Sequence, residues 1–268
     1  MRREIQQVHR AVPASDGAGV RLKRALGHQG IDMLDPFLML DEFRSDQPGD
    51  YLAGFPDHPH RGFETVTYML AGRMEHKDSA GNQGTLTAGS VQWMTAGSGI
   101  IHSEMPKQES GLMAGFQLWV NLPRAEKMRS PRYQEFTPEE IPWEAVEGGR
   151  VKLVAGMIGD HQGPVQGISV DPLMADLDVQ SAITVPIRRG HNAFGYVFEG
   201  EVMGVGPGHL MVLGDGDHVE IRGEGRLLLV AGKPLREPVA RHGPFVMSTR
   251  EELVQAFEDY RRGTFIRR

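Results

Sequence analysis

Cysteine is missing from all 268 residues. Disulfides, thiolate metal sites and cysteine nucleophiles are therefore excluded, and any bound metal must be held by nitrogen and oxygen donors. Long apolar runs are missing too. No stretch approaches the roughly 20 apolar residues that a bilayer-spanning helix needs. The opening run Met1-Arg2-Arg3-Glu4-Ile5-Gln6-Gln7 is polar and leads into no apolar segment, so no secretory leader is expected. Nor is there an excess of positive charge. The net charge of −6 and pI near 6.0 supply no basic footprint for nucleic acid. These absences predict a cytoplasmic protein with no direct nucleic-acid or membrane contact.

What is present describes a globular β protein. Apolar residues at 40% and charged residues at 24% are ordinary for a packed soluble chain. The length exceeds the usual size of one core, which favours two domains. Glycine (34) and proline (17) punctuate short runs such as Thr65–Leu70, Gln117–Val120 and Arg226–Val230, a pattern of short strands and turns. That pattern predicts an all-β sandwich or barrel. A repeat is visible: Tyr68-Met-Leu-Ala-Gly72 matches Tyr196-Val-Phe-Glu-Gly200. The turn at Leu86-Thr-Ala-Gly89-Ser90 is echoed by Gly214-Asp-Gly216-Asp217. Two copies of one small barrel account for it. The acidic stretch from Glu135 to Gly149, with Pro138 and Pro142, reads as the link. It predicts barrels over residues 1–135 and 136–268.

One helix is specified, at the end. Thr249-Arg250-Glu251-Glu252 fits a capping box, in which hydroxyl and carboxylate each satisfy a backbone N–H. Leu253, Val254, Phe257 and Tyr260 follow at helical spacing, and Gly263 can stop the helix. The expectation is a short helix packed on the second barrel, outside the one that carries the chemistry.

The chemistry-bearing residues are two pairs. His58-Pro59-His60 lies in Gly54–Glu64, and His102-Ser103-Glu104 closes Trp93–Glu104. Residues i and i+2 of a strand face the same side. Each pair therefore projects together, and two opposed strands would bring three imidazoles and a carboxylate to one place. Such a donor set suits Fe, Mn, Ni, Cu or Zn. Three or four ligands on a six-coordinate ion would leave positions for dioxygen or substrate. Glu64, four residues after His60, is an alternative ligand or a hydrogen-bond acceptor beside one. The other histidines, His76 among them, lack such pairing and are expected to be surface or structural residues. In the second copy, Pro186 and Arg188 fall opposite His58 and His60, and Leu229 and Ala231 fall opposite His102 and Glu104. The C-terminal barrel is expected to be metal-free.

At these motifs the chain resembles the pirin family of the cupin superfamily. Gly54–Val66 and Gln92–Pro106 are similar to its two metal motifs, and Leu118-Trp-Val-Asn-Leu122, Gly232–Val239 and His242–Met247 extend the likeness. The resemblance implies two tandem cupin, jelly-roll-like barrels. It also implies one divalent metal ion, iron(II) by preference, in the N-terminal barrel, on His58, His60, His102 and Glu104. Glu64 is then not the primary ligand. The chain departs from the general cupin pattern at Gly89-Ser90, where Gly-Asp is common. Two functions follow from the resemblance. One is quercetin 2,3-dioxygenase-type cleavage of a flavonol-like aromatic with O2, releasing carbon monoxide, with Glu104 as metal ligand and catalytic base. The other is a metal- or redox-dependent regulator that binds a transcription or metabolic protein.

Overall fold

The computed structural model describes residues 1–267. Strands dominate, and the chain divides into two compact units, each built from separate segments. One comprises Pro13–Lys23, Phe37–Thr137 and the chain from Leu235 onward; the other comprises Met1–Val12, Arg24–Pro36 and Pro138–Pro234.

The unit with the histidine motifs is built on two sheets. The larger has seven strands in the order Arg132–Phe136, Val91–Thr95, Phe63–Ala71, Met113–Asn121, Phe37–Ser45, Val20–Leu26, Val12–Asp16. The smaller has four: Phe55–His60, Ile100–Pro106, Arg73–Asp78, Gln83–Thr87. In strand Phe63–Ala71 every residue through Met69 is buried, so both of its faces are covered. Its parity separates two roles. Phe63, Thr65 and Thr67 share the face toward the small sheet, because Thr67 reaches Glu104 and Phe63 touches the His60 ring. Glu64, Val66 and Tyr68 share the opposite face.

The second unit carries an eight-stranded sheet in which His218–Gly232, 15 residues long, pairs with Asn192–Val202, Leu173–Val179 and Ala182–Pro186. Its inward residues form an apolar core that includes Val151, Leu177, Val185, Val197, Met211, Leu227, Leu229 and Ala231. Leu229 and Ala231, which the repeat sets opposite His102 and Glu104, are thus packing residues. Burying one such leucine contributes about 2 kcal/mol.

The boundary differs from the expected break between residues 135 and 136 at both ends of the chain. The N-terminal strand Ile5–Arg10 pairs with His209–Leu213, at the edge of the second unit's sheet, and the Met1 ammonium bonds Asp217 at 2.6 Å. An edge strand with open hydrogen-bonding groups is a natural place for such an addition. The C-terminal helix, Arg250–Arg261, belongs instead with the histidine-bearing unit. Its Leu253 and Ala256 are buried among Phe245, Met247 and Phe265, with Ile101 against the same cluster. The capping box is formed as expected, with Thr249 Oγ1 accepting from Glu252 N–H and the Glu252 carboxylate accepting from Thr249 N–H. The apolar face is narrower than the spacing suggested: Val254 is 53% exposed, and Ala256 takes its place in the buried face.

Candidate metal centre

The first-motif strand Phe55–His60 lies antiparallel to the second-motif strand Ile100–Pro106, with His58 directly opposite His102 and His60 opposite Ile100. Strand parity then gathers the three imidazoles. Ring centroids are 4.6 Å apart for His58 and His60, 4.4 Å for His58 and His102, and 5.1 Å for His60 and His102. One nitrogen of each ring can be chosen so that all lie within 4.8 Å of one another. That is a spacing at which one ion can touch all three.

Two of the rings have fixed tautomers. His58 Nδ1 is 2.8 Å from the Pro56 carbonyl and His60 Nδ1 is 3.4 Å from the Pro244 carbonyl. A carbonyl oxygen only accepts, so Nδ1 carries the proton and Nε2 keeps its lone pair. His102 is 1% exposed, and both of its ring nitrogens are buried without a hydrogen-bond partner. An orphaned buried imidazole is costly unless something binds it. Burial, with added repulsion from neighbouring imidazoles, holds His60 and His102 well below the ordinary imidazole range. Both are neutral at pH 7, the form that ligates metals. The donor set fits a divalent transition ion.

Glu104 stands on the same strand face but outside the group of three. A bulge between His102 and Glu104 shifts the register by one residue, so that Glu104 lies opposite Phe55. Its Oε1 accepts a hydrogen bond from Thr67 Oγ1 at 2.8 Å, and Thr67 also meets Gln117 Oε1 at 2.8 Å. One hydroxyl proton cannot serve both oxygens, so the Gln117 amide is turned to donate its N–H to Thr67 when Thr67 donates to the carboxylate. Burial raises the proton affinity of Glu104, while His58 and the Thr67 bond pull the other way.

Glu64 is separated from the group by parity. It lies on the opposite face of its strand, where Oε1 accepts from Thr95 at 2.7 Å and Oε2 from Trp93 at 3.1 Å. It is a satisfied buried carboxylate, raised in pKa chiefly by burial.

His76 has more neighbours than its isolation in sequence suggested. It is buried, opposite Glu104 in the strand ladder, with Nε2 2.7 Å from Glu135 Oε2 and its ring stacked over Tyr133. The alternation of Arg73–Asp78 held a signal: Met74 and His76 are its two inward positions. Burial drives the Tyr133 phenol far upward in pKa, so it stays protonated.

No helix among the described residues is long and apolar enough to cross a membrane. The pirin family profile matches residues 19–120, and the profile of the pirin C-terminal cupin domain matches residues 173–266. A pirin-like protein of Caulobacter vibrioides is 51% identical over 98% of this chain and 99% of its own. A Pseudomonas aeruginosa protein named "Putative quercetin 2,3-dioxygenase" is 47% identical over 97% of each chain. A crystal structure of quercetin 2,3-dioxygenase from Acinetobacter baumannii superposes with a TM-score of 0.90 at 30% identity over 99% of both chains. Both halves of the sequence, its two cupin units and near-full-length relatives agree: the chain belongs to the pirin family.

Proposed function

We propose that His58, His60, His102 and Glu104 hold one divalent metal ion, iron(II) before nickel, copper, manganese or zinc. We propose further that the protein cleaves a flavonol-like substrate with O2 in the manner of a quercetin 2,3-dioxygenase. The observation that carries this reading is the pair of orphaned nitrogens on buried, neutral His102, within reach of two rings whose tautomers present Nε2. When bound, the metal supplies a template and an electronic link between an anionic substrate oxygen and O2. The chain's own contribution is proton handling. Glu104 accepts the proton of the flavonol 3-hydroxyl, and burial has already raised its affinity for that proton. Thr67 fixes Oε1 of the carboxylate, and Gln117 fixes Thr67. Phe63 and Trp119, whose rings touch His60, supply apolar surface beside the site.

The test is aerobic absorbance of quercetin with metal-loaded and metal-stripped protein, with carbon monoxide measured in the headspace. Loss of the flavonol band and release of carbon monoxide only with the loaded protein support the reading. A fully loaded protein that leaves the spectrum unchanged overturns it and favours the regulatory role.

A further inference from the structure

We propose that the C-terminal segment from Ala240 to Phe265 is a strap that sets the imidazole of His60, which makes Arg61 and Asp259 positioning residues for the metal centre. The inference rests on the metal reading above.

His60 takes its orientation from a carbonyl 184 positions away in sequence, that of Pro244. Such an acceptor fixes both tautomer and ring angle of a metal-binding histidine. Pro244 sits in the turn of a small hairpin, Ala240–His242 with Phe245–Met247. The hairpin is fastened to the ligand strand itself. Val246 N–H donates to the Arg61 carbonyl at 3.0 Å. At Gly62, with φ of +89°, a Cβ would fall 2.0 Å from the Val246 carbonyl, so the strap lies where no side chain could stand.

Arg61, between His60 and Gly62, is a second fastening. The residue is 1% exposed. Nε donates to the Ser98 carbonyl at 2.7 Å, one terminal nitrogen to Asp259 at 2.7 Å and the other to the Phe265 carbonyl at 3.1 Å. Its guanidinium stacks 4.3 Å from the Phe265 ring centroid. A third fastening is Lys127, whose ammonium bonds both the Gly62 and Val246 carbonyls. Three independent contacts thus tie residues 60–62 to the C-terminal segment. A contact that merely held the helix down would have no need to converge on the residues flanking one imidazole.

The experiment measures cobalt(II) affinity by chelator competition, with the visible spectrum of the cobalt-loaded protein as a second readout. The proteins are wild type, Asp259→Ala, Asp259→Asn, Asp259→Glu and the control Glu258→Gln, whose carboxylate faces Arg262 one helical turn away. Loss of a partner that orients a ligand costs about 10–100-fold in metal affinity. Asp259→Ala should therefore bind cobalt at least about tenfold more weakly, with an altered spectrum. Asp259→Glu should recover most of the affinity, and Glu258→Gln should match wild type. If Asp259→Ala does not fold, Asp259→Asn carries the comparison. Lower thermal stability with unchanged cobalt affinity and spectrum overturns the proposal. Wild-type protein that takes up no cobalt overturns the metal reading instead. Amide exchange over Arg61–Phe63 then decides the strap: faster exchange in Asp259→Ala supports it, and unchanged exchange overturns it.

Discussion

Lys127→Met removes a buried ammonium from beneath the turn that follows His60. The Nζ group donates to the carbonyl of Gly62 at 2.8 Å, to Asn121 Oδ1 at 2.6 Å and to the carbonyl of Val246 at 3.0 Å. Each acceptor left dry costs about 1–3 kcal/mol. The variant also escapes the desolvation of the ammonium, which offsets part of that loss. A net destabilisation of about 2–4 kcal/mol at pH 7 follows. The pH dependence is the sharper signature. Burial lowers the Lys127 pKa from 10.5 to about 8, against weaker support from Glu237 and Glu252. Between those values the unfolded chain binds more protons than the folded one, so stability rises with pH. The contribution grows by about 1.4 kcal/mol at pH 9 and about 2.5 kcal/mol at pH 10 relative to neutral pH. The methionine variant lacks this term, and other titrating groups cancel in the difference. Urea denaturation of both proteins at pH 7, 9 and 10 should show the gap widening. A gap that is constant or shrinks across that range would refute the assignment of a charged, desolvated Lys127.

Thr249→Ala should lose about 1 kcal/mol in chemical denaturation by removing the helix cap; unchanged stability would mean that the capping box contributes nothing. Glu104→Gln should lose at least about 100-fold in flavonol turnover per bound metal, the lower end of general-base contributions. Near-wild-type turnover by a metal-replete variant would remove Glu104 as the base. Glu64→Gln should keep its turnover per metal and cost about 1–3 kcal/mol of stability, because one of the two oxygens that accept from Thr95 and Trp93 becomes a donating NH2. A large loss of metal in that variant, with the fold intact, would reopen Glu64 as a ligand.

The parts of the site that were legible in the sequence are those fixed by local periodicity. His58 with His60, and His102 with Glu104, follow from the two-residue repeat of a strand, which holds whatever the strands pair with. The apolar interior of the second unit was legible in the same way, through Leu229 and Ala231. Longer-range features were not. Thr67 reaches Glu104 from the other sheet and Gln117 reaches Thr67 from the next strand, and nothing in their local sequence marks them. Pro244 meets His60 only because the chain returns from its far end. The termini misled for a related reason. An edge strand and an amphipathic helix declare that they will pack, but their own residues do not say against which barrel. His76 was passed over because its partners, Glu104 and Glu135, lie on other strands. The bulge that sets Glu104 opposite Phe55 is likewise not foreseen by strand parity alone.

The histidine group of the first cupin unit should hold one metal ion per chain. Elemental analysis of the purified protein tests it most directly, alongside His102→Ala and His191→Ala, the latter in the second unit. About one divalent ion per chain is expected in wild type and in His191→Ala, and little or none in His102→Ala. Two ions per chain, or full metal content in a folded His102→Ala protein, would contradict it.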